Sequence, residues 1–457
     1  MPKKTGRQAV VIGAGMAGMP AARVLADHFD QVIVIENDAL PSDASPRPGT
    51  PQSKHLHALL AGGQRALSSL FPGLEKDLVA AGAQMLQVDT LTEWQFPGYE
   101  SFPKRDHGFP AYTMTRPLLE SVVREHFLAI GNITTHQRCR AQRLMTSEDG
   151  ARVTGVSCLH TDGADDDIQA DLVVDASSNG QLTLNLLAEL GIPAPRESTV
   201  GVEIGYSTML FEIPQDAPTE WRVVVTLSDP PGNRRGAILI PVEGNRWIVT
   251  LQGSHDTQPP KDETGFMEFV QQLRTLTIYN AIKNAKRCGP VTRYGFKASR
   301  WRHFEALERL PSGLIPFGDT ICRFNPIYGQ GMSVAAKEAC LLRDLLQAAA
   351  ESGQGPGSLT GEFLAQAQPI IDAPWATAVI PDFLDPLTGG ERPPDLEDAL
   401  EFGAALRRLA YEDREIHRLM LEVQHMIKPR SILQEPEIVD RVKAVMARDE
   451  KPSETAR

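Results

Sequence analysis

In this sequence cysteine is scarce, basic residues are outnumbered by acidic ones, and long apolar runs are absent. Its 457 residues include five cysteines, none of them in a Cys-x-x-Cys pair, so neither a disulfide framework nor a zinc site is indicated and we expect no bound metal. The 46 lysines and arginines are outnumbered by 58 aspartates and glutamates, which gives a formal net charge of −12. This charge argues against a nucleic-acid partner, because phosphates require a basic surface.

No segment approaches the ~20 apolar residues that span a bilayer, and no signal-peptide core follows the first lysines. We therefore expect a cytoplasmic protein without a transmembrane segment. The length exceeds what one small core accommodates, since domains usually contain roughly 100–200 residues. With 42% hydrophobic and 23% charged residues, the composition is that of an ordinary globular protein. Two packed domains and an extension are expected.

A dinucleotide-binding pattern occupies the start of the chain. Residues 8–12 form a short apolar run suited to a buried parallel strand, and the sequence Gly13-Ala14-Gly15-Met16-Ala17-Gly18 follows. A helix-compatible stretch comes next, and a second apolar run, residues 31–35, ends at Glu36. The order strand, glycine turn, helix, strand and acid predicts a Rossmann nucleotide site.

Each part of this pattern has a physical reason. Gly13 permits the tight turn, Gly15 lets the backbone approach a pyrophosphate, and Gly18 lets helix and sheet pack closely. The helix N-terminus attracts the phosphates. Glu36 is placed to accept both ribose hydroxyls and would repel a 2′-phosphate, which disfavours NADP at this site. The predicted contacts here are Gly13, Gly15, Met16, Ala17, Gly18, Glu36 and Asn37.

A second glycine-containing pattern distinguishes FAD from NAD. Residues 314–317 read as a strand, and a helix-like segment follows at residues 333–350; between them stand Gly318-Asp319 and Asn325-Pro326-Ile327-Tyr328-Gly329-Gln330-Gly331-Met332. This arrangement resembles the group A flavoprotein monooxygenase family, which has the aromatic-hydroxylase fold. The resemblance implies that Asp319 binds the ribityl chain of FAD. It also implies that the backbone of Gly329, Gln330, Gly331 and Met332 faces the pyrimidine edge of the isoalloxazine, with Gly318 and Pro326 in the same cofactor-binding set.

Two further segments extend the resemblance. Arg116 begins an amphipathic helix at the place where the family has an arginine that reaches FAD. The run Arg47-x-Gly-x-Pro-Gln52-x-x-His55-x-His57 looks like that of bacterial polyether-type polyene epoxidases of polyketide pathways, and this likeness continues to about residue 350. Arg47, Gln52 and Arg116 therefore join the predicted cofactor-binding set. The two histidines would share one face of a strand. Because no cysteine or acid lies nearby, we expect a hydrogen-bonded pair under the flavin, or loop packing, instead of a metal site.

The expected fold class is α/β: a Rossmann-like FAD-binding domain of the GR2 type, with an inserted antiparallel-sheet substrate domain and a C-terminal helical cap. The FAD-binding domain is predicted to be discontinuous, comprising residues 1–200 and 290–352, with a small β insertion near residues 133–170. Residues 201–289 are predicted to form the substrate domain, and residues 353–457 the cap.

In the resembled family the inserted sheet roofs the substrate cavity. Candidate cavity residues on this basis are Phe211, Trp221, Trp247 and Tyr328, although each of the three sheet aromatics is also explained by simple core packing. The cap is predicted to contain helical segments at about 360–380, 395–427 and 436–448, from apolar residues at helical spacing.

One segment departs from the family pattern. After the predicted strand that ends at Asp175, group A monooxygenases carry a turn with a downstream arginine. This chain has Asp175 and Gly180 but no arginine between residues 176 and 185. A guanidinium is the natural partner of a pyrophosphate. Asp175 therefore keeps its predicted place in the FAD site, whereas docking of NADPH or NADH as a transient reductant loses its support.

Two functions remain open at this point. The first is an FAD- and NAD(P)H-dependent monooxygenase that uses O2 to epoxidise or hydroxylate a large apolar polyketide or terpenoid. The second is an FAD-containing cyclase without redox turnover, like the dialkyldecalin-forming 4+2 cyclases of spirotetramate pathways, which this chain also resembles. Such a cyclase needs a cavity that brings diene and dienophile of a linear polyene together. Reductases of the same fold are a third alternative, and the sequence identifies no catalytic residue, substrate or oligomeric state.

Overall fold

The computed structural model describes residues 4–99 and 101–449, so the first three residues of the predicted FAD-binding domain and residues 450–457 of the predicted cap lie outside the described part. The strands, in chain order, are β1 (Gly6–Ile12), β2 (Phe29–Glu36), β3 (Gln84–Gln87), β4 (Thr92–Gln95), β5 (Pro110–Thr113), β6 (Ile133–Gln137), β7 (Cys139–Thr146), β8 (Val153–His160), β9 (Asp165–Gln169), β10 (Leu172–Asp175), β11 (Glu197–Glu212), β12 (Val223–Thr226), β13 (Gly236–Val242), β14 (Arg246–Ser254), β15 (Thr292–Arg302), β16 (Leu314–Pro316), β17 (Cys322–Arg323) and β18 (Gly389–Gly390).

The helices, in chain order, are α1 (Gly18–His28), α2 (Ala61–Leu70), α3 (Leu74–Ala80), α4 (Arg116–Leu128), α5 (Gln181–Glu189), α6 (Glu263–Gln271), α7 (Thr277–Ile282), α8 (Gly331–Ser352), α9 (Leu359–Asp382), α10 (Leu396–Glu412), α11 (Arg414–Gln424) and α12 (Pro436–Asp449).

A five-stranded sheet with the order β16-β10-β1-β2-β6 forms the nucleotide-binding core. Its neighbouring strands all run parallel, and its apolar runs are buried on both faces, as expected for a parallel sheet between two layers. Along β1, Ala9 and Val11 pack with α1 and α8. Val10 and Ile12 face the other way and pack with the three-stranded sheet of β7, β8 and β9.

A second, larger sheet has the order β17-β15-β11-β14-β13-β12-β4, with β18 paired to β11. Its ladder is antiparallel except for the parallel pair of β12 and β4. Phe266 and Phe269 of α6 and Ile278 of α7 pack against one of its faces. Together the two sheets confirm the expected α/β fold with a parallel nucleotide-binding sheet and an antiparallel substrate sheet.

The C-terminal helices cover the opposite side of the larger sheet. The first half of α9 packs with α8 in the nucleotide-binding core, and Val379 near its end packs against Val200 and Val202 of β11. α10, α11 and α12 pack on one another around Phe102. Within residues 4–99 and 101–449, no helix combines the length and the apolarity needed to cross a membrane.

Residues 395–427, predicted as one helical segment, form two helices, α10 and α11. Asp413 leaves helical geometry between α10 and α11, with φ −108° and ψ 122°. Its carboxylate accepts hydrogen bonds from the backbone N–H groups of Glu415 (2.7 Å) and Ile416 (3.0 Å). This N-cap satisfies donors that a new helix leaves unpaired, and so it starts a second helix.

Candidate active site

A large cavity opens at the carboxyl ends of the parallel strands. Its volume is about 1740 Å³, and it is bounded by the ends of β1, β2 and β10, by one face of the larger sheet and by α9, α10 and α11. Ligands of open α/β sheets bind at this end of the strands. A drug-sized ligand occupies roughly 300–1,000 Å³, so this cavity has room for a dinucleotide and a second molecule together.

Most of the residues predicted to bind a cofactor line this cavity. They are Gly13, Gly15, Met16, Ala17, Glu36, Asn37, Arg47, Gln52, Arg116, Asp319, Pro326, Gly329, Gln330, Gly331 and Met332. Gly18, Asp175 and Gly318 do not line it and support the residues that do.

The first glycine-containing segment is tightly folded, and the second segment approaches it closely. A Cβ at Gly18 would overlap the carbonyl oxygen of Gly13, and a Cβ at Gly318, whose φ is +61°, would lie 2.9 Å from the Cβ of Ala17. On the cavity side, Asp319 stands beside Gly331, where a Cβ would lie 3.7 Å from Asp319 Oδ1. Burial raises the pKa of Asp319, although three nearby arginines oppose the shift. Asp319 therefore lies between the beginnings of α1 and α8.

Two helix N-termini open into the same cavity. α1 follows the lining residues Gly15, Met16 and Ala17, and α8 follows the lining residue Gln330. Neither helix has an acidic residue in its first turn, so its partial positive charge is not balanced by its own side chains. Such ends bind anionic groups through their free N–H groups.

Buried charges fix the end of β2 next to the glycine turn. The Glu36 carboxylate accepts hydrogen bonds from the backbone N–H groups of Ala14 (2.8 Å) and Asp38 (3.0 Å). Arg47 Nη1 lies 3.0 Å from Glu36 Oε2 and 3.3 Å from Asp38 Oδ2, and Arg47 Nη2 donates to the carbonyl oxygen of Ala14 (3.3 Å). Burial alone would lower the pKa of Arg47, but the surrounding carboxylates, Glu36 foremost, outweigh burial and raise it.

Glu120 links this group to Arg116. Arg116 donates from Nε to Glu120 Oε1 (2.9 Å), and its Nη2 lies 2.8 Å from the same oxygen. Arg47 Nε lies 3.5 Å from Glu120 Oε2. Burial would raise the pKa of Glu120, but Arg116 and Arg47 hold it below its ordinary value. One buried carboxylate thus holds both guanidinium groups in place at the cavity wall.

Comparison with known proteins decides which family this geometry represents. Residues 7–374 match the model of the FAD binding domain family. The chain belongs to this family. Protein Rv3254 from Mycobacterium tuberculosis is 35% identical over 351 residues, which cover 74% of this chain and 73% of that protein. The FAD-dependent monooxygenase penE from Penicillium thymicola is 21% identical over 379 residues, which cover 75% of this chain and 70% of that protein.

A solved structure has the same fold. The structure of p-nitrophenol 4-monooxygenase PnpA from Pseudomonas putida DLL-E4 superposes with a TM-score of 0.64 at 17% identity and covers 93% of this chain and 99% of that one. The two chains share the FAD-binding α/β fold, and the match to the FAD binding domain family gives FAD as the cofactor.

The residues present fit FAD. Gly15 faces the cavity, and among the described atoms a Cβ there would come within 4 Å of Arg47 Nη2 alone (3.7 Å), so the backbone is open to a phosphate group. The beginnings of α1 and α8 would hold the anionic parts of the cofactor. Glu36, at the end of β2, stands where a ribose would lie.

The loop after β10 presents no cation to the cavity. Asp175 is fully buried, accepting from Thr183 Oγ1 (2.6 Å) and from the backbone N–H of Ser177 (3.1 Å). Arg302 reaches the loop from behind, where its Nη1 donates to the carbonyl oxygens of Asn179 (2.8 Å) and Thr320 (3.1 Å). The loop residues that line the cavity are Ala176, Ser177, Ser178, Asn179, Gln181 and Leu182, all neutral.

His55 and His57 form a hydrogen-bonded group at the cavity wall. His55 Nδ1 lies 2.7 Å from Thr208 Oγ1, and Thr208 Oγ1 lies 2.7 Å from Thr250 Oγ1. His57 Nδ1 is 3.0 Å from the carbonyl oxygen of His55. Burial lowers the pKa of His55 to about 4 and that of His57 to about 3, so both imidazoles are neutral at physiological pH.

Three of the four aromatic side chains predicted to line the substrate cavity do not line it. Phe211, Trp221 and Trp247 are buried in the apolar layer between the larger sheet and α6 and α7. Side chains alternate between the two faces of a strand, and on β14 this parity sends Trp247 to the helix layer and Thr250 to the cavity. The fourth, Tyr328, does line the cavity.

A hydrogen-bonded group around Tyr328 was missed from the sequence. Asp382 Oδ1 accepts from Tyr328 Oη (2.9 Å) and from Asn325 Nδ2 (2.9 Å), and Tyr206 Oη donates to Asn325 Oδ1 (3.3 Å). All four residues line the cavity. Burial raises the pKa of Asp382 to about 7, although its two hydrogen bonds oppose the shift. Asn325 carries a local signal, since it caps the turn that begins at Pro326; Asp382, delivered by α9, carries none.

Replacing Arg47 by methionine tests the buried charge group. Glu36 and Asp38 would lose their common cation, and breaking a buried ion pair costs about 3–5 kcal/mol. We expect Arg47→Met to lower the free energy of unfolding by that amount and to weaken FAD binding, measured by denaturant titration and flavin fluorescence. The control is Arg343→Met, because Arg343 pairs with Asp344 at the surface (2.9 Å) and should change stability by at most about 1 kcal/mol. Equal effects of the two variants would contradict this role of Arg47.

Asp382 should make stability depend on pH. Its carboxyl group keeps its proton to about pH 7 in the folded chain, against an ordinary pKa of 3.8. Between these values the folded state binds a proton that the unfolded state has lost, so this group destabilises the fold as pH rises from about 4 to 7. Asparagine carries no charge. Relative to wild type, Asp382→Asn should therefore become more stable between pH 4.5 and pH 8, by up to about 4 kcal/mol, in denaturant titrations. A difference that does not vary with pH would refute the assignment.

Proposed function

We propose that this flavoprotein is a monooxygenase that epoxidises or hydroxylates a large apolar metabolite of polyketide or terpenoid type. The proposal rests on the continuity of the cavity, because the cofactor groove and an apolar chamber form one space of about 1740 Å³. When bound, FAD supplies the electrons and activates oxygen. The chain itself has to orient the substrate and keep water away.

The wall of the chamber favours an apolar substrate. On the cavity side of the larger sheet, β12 and β13 present Val223, Val225, Ile238 and Ile240. From the opposite side, α10 contributes Phe402. Burial of an elongated hydrocarbon against these side chains supplies binding energy in proportion to the apolar area removed from water.

The polar side chains of the chamber would orient such a substrate. Tyr328 and Asn325 are fixed by Asp382, next to Gly329 and Gln330, where the resembled family places the flavin. Because burial keeps the proton on Asp382 to about pH 7, this group offers a neutral hydrogen-bonding partner to a hydroxyl or carbonyl group. A few convergent polar groups in an apolar cavity are how ligand orientation is usually set.

Filling the chamber should separate substrate binding from FAD binding. Ile238 faces the cavity, whereas its neighbour Leu239 is buried in the layer under α6 and α7. We expect Ile238→Trp to retain FAD and to weaken binding of parinaric acid, a fluorescent linear polyene, by about tenfold or more, or about 1.4 kcal/mol. Leu239→Met, a nearly volume-conserving change on the other face, should leave both affinities unchanged. Unaltered binding of the polyene by Ile238→Trp would place the substrate elsewhere.

The monooxygenase proposal predicts incorporation of oxygen into the substrate. FAD-loaded protein would be incubated with NADPH, 18O2 and a panel of linear polyenes, and products would be analysed by mass spectrometry. One labelled oxygen atom per product, with one NADPH consumed, is the expected result. NADPH oxidation that yields only hydrogen peroxide, with every polyene recovered unlabelled, would refute the proposal for these substrates.

A cyclase without redox turnover is the second candidate, favoured by the neutral loop after β10. Residues 176–182 of that loop are all neutral, and the nearby Arg302 is held behind the loop, away from the cavity. The loop therefore offers no cation to the pyrophosphate of a nicotinamide dinucleotide. A cyclase would convert a linear polyene with diene and dienophile into a product of equal mass, without NADPH and without oxygen. Equal rates with and without the protein would exclude this candidate.

A further inference from the structure

A second group of chemically reactive side chains lies on the small sheet of β7, β8 and β9. In its register, Cys139 pairs with His160, and Cys158 pairs with Asp166. Directly paired residues share a face of a sheet, as do residues two apart on one strand. The pairing therefore brings two thiols, an imidazole and a carboxylate to one face.

His136 reaches the same place from the parallel sheet. It lies on β6, which pairs with β2, and its ring centroid is 5.7 Å from that of His160. His136 Nδ1 lies 4.0 Å from Asp166 Oδ2. His160 Nε2 lies 3.8 Å from the same oxygen and 3.7 Å from Cys139 Sγ. The ligand atoms of His136, Cys139 and His160 all lie within 4.8 Å of one another.

These separations are close to those of a tetrahedral zinc site. Zinc bonds of about 2.0–2.3 Å place ligand atoms about 3.3–3.8 Å apart. Three separations within the group are 3.7–4.0 Å, and the ligand atoms of Asp166 and His160 cluster with that of Cys158, so the side chains would have to draw together around an ion. His136 Nδ1 is buried and has no hydrogen-bond partner in the described structure, although buried polar atoms are normally paired. A thiolate combined with imidazoles selects zinc over magnesium or calcium.

We propose that His136, Cys139, His160 and Asp166 bind one zinc ion. Four protein ligands leave no open coordination position, which makes the site structural. The ion would join β6 of the parallel sheet to the sheet of β7, β8 and β9. Because Cys139 and the following Arg140 also line the cavity, beside the strand that ends at Glu36, zinc would fix the cavity wall at its nucleotide end. Binding displaces the thiol proton of Cys139 into solvent, so affinity rises with pH.

Another cluster of ligand-type residues does not fit a metal. Asp89, His107 and His417 are buried together, with His417 Nε2 3.6 Å from Asp89 Oδ2. Arg105 Nη1, however, lies 3.2 Å from His417 Nδ1, and an arginine can only donate. His417 Nδ1 must then accept, and the ring carries its proton on Nε2, toward Asp89. A metal at Nε2 would place the proton on Nδ1, against the guanidinium of Arg105, so His417 is not free to act as a metal ligand.

Metal analysis of the purified FAD-loaded protein tests the zinc proposal. After dialysis against a weak chelator and gel filtration, inductively coupled plasma mass spectrometry should find about one zinc per chain. Cys139→Ser and Asp166→Asn should lower that ratio severalfold while FAD remains bound. Cys288→Ser is the matched control, because Cys288 lies outside every cluster of metal-ligating side chains in the described residues, and this variant should keep its zinc.

Cobalt substitution supplies a second measurement that needs no variant. Cobalt in a four-coordinate site with a thiolate ligand absorbs at wavelengths beyond the flavin bands, so FAD-loaded protein from which a strong chelator has removed the zinc can be titrated directly. We expect these bands to saturate at one equivalent and to be abolished by one equivalent of zinc. Wild-type protein without stoichiometric zinc and without these bands would overturn the proposal, as would Cys139→Ser retaining both.

Discussion

The positive ends of α1 and α8 face one cavity, and the other features of the nucleotide-binding part are arranged around this electrostatic constraint. Glycine at position 318 permits the approach, since a side chain there would meet Ala17, and glycine at position 18 permits the tight turn that leads into α1. Two like poles repel in a medium of low dielectric constant, and an anionic cofactor between them removes that cost. The carboxylates of Glu36 and Glu120 fix the guanidinium groups of Arg47 and Arg116 in the wall of this cavity.

The larger sheet separates two tasks by the parity of its strands. One set of alternate residues, with Trp247 among them, packs under α6 and α7 and stabilises the sheet. The other set, with Ile238 and Thr250 among them, borders the cavity. Since each face is fixed by the register of β11, β13 and β14, substitutions that tune the chamber can leave the packed face untouched. This division is a physical reason why one scaffold accommodates different substrates.

Features carried by local sequence patterns could be predicted, whereas features that depend on distant strand pairing could not. The Gly13–Gly18 turn, Glu36 and the Gly318–Asp319 pattern are local, and their spacing carries their chemistry, so the fold and FAD were predictable. Which residues of β14 face the cavity was not predictable, because the orientation of the strand depends on its pairing with strands far away in the chain. Asp382 had no local signal at all. The possible metal ligands were overlooked because His136-x-x-Cys139 and Cys158-x-His160 are separate segments that only the β7–β8 register joins.

The position of Arg302 constrains how electrons could reach the flavin. Besides its two carbonyl acceptors, this guanidinium donates to Glu197 (2.8 Å). Turning it into the cavity would break all three hydrogen bonds, and bonds to charged groups contribute about 1.5–3 kcal/mol each. A nicotinamide dinucleotide that bound Arg302 would have to compensate for the free energy of these three hydrogen bonds during a transient encounter. Reduction by a nicotinamide dinucleotide therefore has to use other cations of the wall, with Arg140 and Arg323 in reach of the cavity. The monooxygenase needs a cation of the cavity wall to bind the pyrophosphate of a nicotinamide dinucleotide, whereas the cyclase does not. No acid or base of the chamber distinguishes the two proposed reactions.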